Sequence, residues 1–243
     1  MTLPHVGQEK IWEHFQNEGI ESFTQSRGRL EFLVRRLSPA TRVLNVGVGN
    51  GVLELLAITK GVDIWSLDPS ERSIVRLRQA LGMDEKAQVG YSQVMPFADS
   101  HFDAVVMSEV LEHLDEAVLE ATLAEVHRVV RAGGMFIGTV PARENLEESL
   151  VVCPDCGLQF HRWGHKNSFD IDRLSAMLST RFSIVEVSER FFIDWETVGW
   201  WRKLQGLFKQ FLSWGGIGTY GICRNIFFLA QKPQPESHKT WSV

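Results

Sequence analysis

The sequence predicts an α/β fold, in which a mainly parallel sheet carries helices on both faces. Three observations predict it: apolar runs of strand length alternate with helical patterns, the first run ends in three alternate glycines, and the next ends in an aspartate. Alternating strands and helices are joined by crossover connections, which make neighbouring strands parallel. The chain has 243 residues, 44% of them hydrophobic, which is enough to bury one such core with an insertion.

The hydrophobic periodicity predicts the elements in order along the chain. A helical segment over residues 6–37 comes first and ends at Pro39. The units that follow are predicted at residues 42–46 (strand), 50–59 (helix), 62–67 (strand), 70–81 (helix), 87–91 (strand), 103–108 (strand), 115–131 (helix), 134–140 (strand), 169–179 (helix), 182–192 (strand) and 222–230 (strand).

The helix over residues 115–131 has the clearest apolar stripe, formed by Leu119, Leu123, Val126 and Val130. We expect Gly133-Gly134 to end this helix, since glycine favours the left-handed conformation that follows many helices.

The pattern divides the chain into five parts. We expect an N-terminal helical lid (1–38), a ligand-binding core (39–140), an insertion rich in Cys and His after the fifth strand (141–167), a C-terminal part of the core (168–232) and a flexible tail (233–243).

The glycine turn is the strongest local signal of a binding site. Val43 to Val46 form an apolar run that ends in Gly47, Gly49 and Gly51. Such a turn opens a helix and presents backbone N–H groups to a ligand. Asp68, at the end of the next strand, is placed to bind the two hydroxyls of a ribose. The order G-x-G-x-G followed by Val does not meet the dinucleotide fingerprint G-x-G-x-x-G.

Two further segments complete a family resemblance. Residues 94–106 read V-M-P-F-A-D-S-H-F-D-A-V-V, and residues 108–114 read S-E-V-L-E-H-L. With the glycine turn and Asp68, they make the chain resemble the class I S-adenosylmethionine-dependent methyltransferases of the methyltransferase type 11-like group. The resemblance implies a Rossmann-like sheet of seven strands, mostly parallel. It also implies a set of cofactor-binding residues: Asn45, Gly47, Gly49, Gly51, Asp68, Pro69, Gln93, Val94 and Ser108.

Two positions depart from the family pattern. Asn45 stands where the family usually has an acidic residue that helps to hold the charged amino-acid end of the cofactor. Tyr91 or Ser92 stands where the family often has an acidic residue near the adenine, so stacking or a hydroxyl would replace it.

Methyl transfer to a hydroxyl needs a proton acceptor, and His113 is the leading candidate base. It follows the fourth strand at the carboxyl edge of the sheet, where ligands bind in such folds, and its ordinary pKa suits the task. The alternative is that His113 pairs with Glu109 on one helix and only shapes the pocket. His5, His14 and Tyr91 are weaker candidates.

The insertion has the spacing C-x₂-C-x₄-H-x₃-H, formed by Cys153, Cys156, His161 and His165. Two thiolates and two imidazoles in a short segment predict a structural zinc site with four protein ligands. The alternative is a reduced cysteine pair, with His161 or His165 facing the acceptor and acting as the base.

Residues 197–214 predict an amphipathic helix rich in tryptophan, with basic residues on its polar side. We expect it to pack on the sheet or cover the pocket. The alternative is peripheral contact with a membrane, in which case the acceptor would be lipid-linked.

The predicted activity is transfer of a methyl group to a hydroxyl of a small molecule or glycan. One rival is a non-catalytic protein that binds the cofactor, and a second is an RNA-modifying methyltransferase. The net charge of −5 argues against a nucleic-acid partner. The absence of a signal-peptide pattern or an apolar run of ~20 residues, and the low cysteine count, predict a soluble, cytoplasmic protein.

Overall fold

A seven-stranded sheet forms the centre of the protein. This computed structural model describes residues 26–192 and 225–234. The strands of the sheet are β1 (Arg42–Val46), β2 (Asp63–Asp68), β3 (Ala87–Val89), β4 (Phe102–Ser108), β5 (Val130–Pro141), β8 (Ser183–Arg190) and β9 (Asn225–Gln231), in the spatial order β3-β2-β1-β4-β5-β9-β8. The pairs from β3 to β5 are parallel, while β9 runs antiparallel to both of its neighbours. The α/β fold predicted from the sequence, with a mostly parallel seven-stranded sheet, is confirmed.

The described residues form five α-helices: α1 (Arg27–Arg35), which precedes the first strand, α2 (Val52–Thr59), α3 (Glu71–Leu81), α4 (Glu116–Val129) and α5 (Ile171–Ser179). Side-chain caps fix where three of them begin. The side chains of Ser70, Asp115 and Asp170 each accept a hydrogen bond from a backbone N–H in the first turn of α3, α4 and α5.

The central strands β1 and β4 bury both of their faces, and successive residues belong to different cores. Leu44 and Val105 join a core with the apolar sides of α4 and α5. Val43 and Val106 join a second core with α1, α2 and α3. This arrangement is the two-sided burial that near-continuous apolar strands predict.

The boundary between α4 and β5 differs from the prediction. Leu119, Leu123 and Val126 are buried as expected, but α4 ends at Val129 and Val130 already belongs to β5. Gly133, with φ +72°, lies within this strand. The pairing of Val130 with Phe102 draws the chain into the sheet before the glycines are reached, so they do not end the helix.

Residues 141–167, predicted as an insertion, contain a small two-stranded sheet. A 3₁₀ turn (Leu146–Ser149) precedes β6 (Leu150–Val152) and β7 (Gln159–His161), which pair as an antiparallel hairpin. The insertion is anchored to the core by the backbone N–H groups of Lys166 and Asn167, which both donate to the carbonyl oxygen of Glu112.

Several predictions fall outside the described residues: most of the N-terminal lid, the amphipathic helix over 197–214 and most of the tail. Within the part of the chain that the structure describes, no helix is long and apolar enough to cross a membrane.

Candidate active site

The glycine turn follows β1 and leads into α2 at the carboxyl edge of the sheet. Gly47 and Gly51 have φ values of +89° and +83°, a conformation that side-chain-bearing residues rarely adopt. A Cβ atom on Gly47 would lie 2.7 Å from Cγ2 of Val110, so this glycine is also required for space. The contact brings the turn next to the segment that follows β4.

Asp68 ties the glycine turn to the end of β2. Its Oδ2 accepts a hydrogen bond of 2.8 Å from the Val48 N–H, and its Oδ1 accepts one of 2.8 Å from the Ser70 N–H. The residue is only 1% exposed. The carboxylate is therefore part of the architecture of the turn.

Asn45 is buried, and its amide orientation is fixed by two acceptors. Its Nδ2 donates to Glu54 Oε1 at 2.7 Å and to the Gly47 carbonyl oxygen at 3.3 Å. Its Oδ1 is buried and accepts no hydrogen bond from the described residues. Because the Gly47 carbonyl oxygen can only accept, the amide keeps this orientation, and Oδ1 remains a buried acceptor.

Glu54 supplies a carboxylate that position 45 lacks. It is fully buried on α2 and accepts hydrogen bonds from Asn45 and, at 2.9 Å, from the Ser66 hydroxyl. Burial raises its pKa. The sequence reasoning missed this residue, although an acidic residue inside the apolar run V-L-E-L-L was the available signal.

The two residues predicted to lie near the adenine, Tyr91 and Ser92, differ in their exposure. The Ser92 hydroxyl is buried and hydrogen-bonded to the Thr122 hydroxyl at 2.8 Å. Tyr91 is 49% exposed and Val94 is 73% exposed, and Gln93 is partly buried between them. Stacking on Tyr91 is therefore easier to reconcile with the geometry than a bond to the Ser92 hydroxyl.

Glu109 does not pair with His113 on a helix. It has a φ of +57° at the end of β4, outside the three-residue 3₁₀ turn Leu111–His113. Its Oε2 accepts a 3.0 Å hydrogen bond from Asn225 and lies 3.6 Å from Nη1 of Arg29. The four-residue spacing does not place the two residues on one helix face, because the chain here turns instead of continuing as an α-helix.

Ser108 and Pro69 lie at the ends of the two strands that border the turn. The Ser108 hydroxyl accepts a 3.1 Å hydrogen bond from Arg29 Nε and bonds to the Thr139 hydroxyl at 3.0 Å. Pro69 follows Asp68 and is partly buried. Arg29 of α1 thus lies at the carboxyl edge of the sheet.

Three histidine rings meet where the insertion contacts the segment after β4. The ring centroids of His113 and His165 are 4.7 Å apart at 76°, and those of His161 and His165 are 4.8 Å apart and stacked. His113 Nδ1 lies 3.4 Å from the Gly164 carbonyl oxygen. Burial, with the nearby His165, lowers the pKa of His113 to about 3, so this ring is neutral at physiological pH.

Glu144 lies between two of these rings. Its Oε2 forms a hydrogen bond with His165 Nδ1, and its Oε1 lies 3.4 Å from His161 Nε2. Glu112, next to His113 in sequence, is fully buried. Burial and the Glu109 charge raise the pKa of Glu112 well above its usual value. The sequence reasoning missed both carboxylates, because only the fold brings residues 112, 144 and 165 together.

The predicted four-ligand zinc set is not assembled in the structure. Cys153 and Cys156 form a tight loop closed by the 2.9 Å bond from the Gly157 N–H to the Cys153 carbonyl, and both thiols are free. Backbone N–H groups of Cys156 and Asp155 lower the pKa of Cys153. Among the described residues, the groups of His, Cys, Asp and Glu that could hold a metal contain no cysteine. The histidines face Glu144 instead of the thiols.

The amino-acid sequence is similar to those of known methyltransferases over the region that contains the glycine turn. Residues 44–138 match the family model described as a methyltransferase domain. An uncharacterised methyltransferase of Mycobacterium bovis is 34% identical over 95 residues, which are 39% of this chain and 37% of that protein. The chain spans between 37% and 54% of the length of the first curated relatives that it matches.

Solved structures share the fold over nearly the whole chain. A Burkholderia thailandensis 1,6-didemethyltoxoflavin-N1-methyltransferase, solved with bound 1,6-didemethyltoxoflavin and S-adenosylhomocysteine, superposes with a TM-score of 0.66. It is 16% identical and covers 96% of this chain and 92% of its own. The cyclase SpnF superposes with a TM-score of 0.59 at 18% identity, covering 86% and 81% of the two chains. At these identities the likeness establishes the fold alone. The domain match and the methyltransferase relatives support the class of S-adenosylmethionine-dependent methyltransferases.

Proposed function

We propose that the protein transfers the methyl group of S-adenosylmethionine to a hydroxyl oxygen of a small molecule or glycan. The observation that carries the proposal is the glycine turn between Asp68 and Asn45. Asn45 Oδ1, a buried acceptor that receives no hydrogen bond from the described residues, and the buried Asp68 carboxylate lie on either side of a turn whose positive φ angles favour glycine.

The residues around the turn suit the chemistry of the cofactor. Asn45 Oδ1 would accept a hydrogen bond from the amino group, and Glu54 behind it would supply the negative charge that favours an ammonium group. Asp68 would accept from the ribose hydroxyls, while Tyr91, Gln93 and Val94 would flank the adenine. When bound, the cofactor supplies the reactive methyl group.

The protein's own part in the transfer is to position the acceptor and to remove its proton. His165 and His113 are the candidate proton acceptors, and the pKa of about 3 makes the His113 ring the weaker base. His165 is the better oriented of the two, because the bond from its Nδ1 to Glu144 fixes its ring. Glu109 is the weaker candidate, since Asn225 and Arg29 already contact its carboxylate.

Three further predictions concern the segments around the acceptor: the lid, the amphipathic helix and the zinc site. Arg29 of α1 contacts Ser108 at the sheet edge, which supports a role of the N-terminal segment as a lid. If residues 197–214 contact a membrane, the acceptor would be lipid-linked, and flotation with liposomes tests this contact. A zinc ion on Cys153, Cys156, His161 and His165 would require both histidines to leave Glu144, and elemental analysis of purified protein tests it.

The rival functions make different predictions for the same samples. SpnF shows that this fold also carries a cyclase, so binding without methyl transfer is the alternative to exclude. Purified protein should bind S-adenosylmethionine in calorimetry and release S-adenosylhomocysteine only when a hydroxyl-bearing acceptor is added. Binding without turnover on any acceptor fraction would favour a non-catalytic protein. Salt-sensitive retention of RNA would favour the RNA-modifying alternative.

A further inference from the structure

A carboxylate and two histidines converge beside the proposed cofactor site. One ligand atom from each of Glu112, His113 and His165 lies within 4.8 Å of the other two. Glu112 and His113 belong to the 3₁₀ turn after β4, and His165 comes from the insertion. The neighbouring Val110 contacts the glycine turn, so this cluster lies close to the turn.

The burial of the Glu112 carboxylate indicates that this cluster binds a ligand. The residue is 0% exposed, and both of its carboxylate oxygens are buried without a hydrogen bond from the described residues. Burying a carboxylate without a partner is costly, and proteins resolve this by protonation, pairing or metal binding. The two neighbouring imidazoles make metal binding the favourable solution here.

The hydrogen bonds of the two rings leave suitable nitrogen atoms for a metal. Carbonyl and carboxylate oxygens only accept, so His113 Nδ1 donates to Gly164 and His165 Nδ1 donates to Glu144. In the neutral form, the lone pair of each ring is then on Nε2. A histidine that donates its other N–H to a carbonyl or carboxylate is the usual arrangement around a protein-bound metal.

The same reasoning excludes the neighbouring group formed by Glu144, His161 and His165. His161 Nδ1 accepts hydrogen bonds from the backbone N–H groups of His165, at 3.1 Å, and Trp163, at 3.4 Å. Its proton must therefore be on Nε2, which faces Glu144 and cannot bind a metal in that state. Glu144 thus accepts a hydrogen bond from His165, while His161 Nε2 lies 3.4 Å from its Oε1.

We propose that Glu112, His113 and His165 bind a divalent transition-metal ion, and that Glu144 is a positioning residue that orients His165. Two imidazoles and one carboxylate suit Zn²⁺, Co²⁺, Fe²⁺ and Mn²⁺, and three protein ligands leave positions open to another molecule. The role of this metal rests on the proposed function: it would lower the pKa of an acceptor hydroxyl, and His113 and His165 would then be ligands instead of bases. The binding itself does not depend on that function.

Metal-free protein, prepared by chelation, tests the site. We expect Co²⁺ titration to produce visible absorption bands, without the intense near-ultraviolet absorption of a cobalt–thiolate bond, and Zn²⁺ to bind in calorimetry. Glu112→Gln and His165→Gln should weaken binding by about 100-fold or more, and Glu144→Gln by about 10- to 100-fold. Cys153→Ser with Cys156→Ser is the matched control and should bind as the wild type does.

Two outcomes would overturn the site: no binding of either metal, or binding that the double cysteine variant loses and Glu112→Gln retains. Loss of folding is separated from loss of ligands by the metal-free melting temperature, because Gln at position 112 leaves no buried charge and should not lower it. Binding of S-adenosylhomocysteine, measured on the same samples, separates the two proposals. If the protein binds S-adenosylhomocysteine but no metal, the metal site is contradicted and the proposed function is not.

Discussion

Replacement of Asp68 by Asn tests whether this residue both builds the glycine turn and binds the cofactor. The Asp68 carboxylate accepts two backbone hydrogen bonds of 2.8 Å, from Val48 and Ser70. Asn keeps one acceptor but turns an NH₂ group towards the other N–H. A buried hydrogen bond to a charged group contributes about 1.5–3 kcal/mol, so we expect a loss of about 2–3 kcal/mol in the free energy of unfolding.

Urea denaturation measures this loss, and calorimetry with S-adenosylhomocysteine measures the second role. Binding should weaken by at least about tenfold, which corresponds to ~1.4 kcal/mol. Asp84→Asn is the matched control, because Asp84 is an exposed aspartate in the loop before β3. Its unfolding free energy should change by no more than about 0.5 kcal/mol. The reasoning is refuted if Asp68→Asn behaves as this control does in both assays.

Two further predictions concern the stability of the sheet and its pH dependence. A Cβ on Gly138 would lie 2.1 Å from the Met107 carbonyl oxygen and 2.5 Å from Phe228, so Gly138→Ala should cost about 3 kcal/mol or more in urea denaturation. Gly82→Ala, which meets nothing within 4 Å but has a φ of +65°, should cost only about 1 kcal/mol, and equal losses would contradict the packing argument. Hydrogen bonds from Arg128 lower the pKa of Glu125, which also accepts from the Met95 N–H at 2.7 Å. Because the folded-state pKa is lowered, this carboxylate adds stability above about pH 5 and loses it as the pH falls through the lowered pKa. The stability difference between the wild type and Glu125→Gln should therefore shrink in acid, and a difference that is constant from neutral pH to pH 3 would contradict the assignment.

Local patterns predicted the strands and helices well, because burial on both sheet faces leaves strong periodicity in the sequence. β1 was predicted with its observed bounds, and α3 within one residue. The end of α4 was wrong, since pairing of Val130 with Phe102 is a tertiary effect that no local signal carries. The hairpin of the insertion was also missed, because strands of three residues are too short to show an alternating pattern.

The candidate site was predictable where it depends on single elements and was not where several segments meet. The glycine turn and Asp68 follow from one strand–turn–helix unit and the next strand. Glu144 and Glu112 acquire their role only when the insertion packs against the turn after β4. The spacing of Cys153 to His165 suggested one metal site, but the hydrogen bonds of the histidines depend on a carboxylate outside that motif.

A crystal structure of the complex with S-adenosylhomocysteine would show whether the glycine turn holds the cofactor. We expect ribose hydroxyls within hydrogen-bond distance of Asp68, and the amino group of the ligand within hydrogen-bond distance of Asn45 Oδ1. A ligand bound elsewhere, or a glycine turn that stays empty at saturating ligand, would contradict the proposed cofactor site.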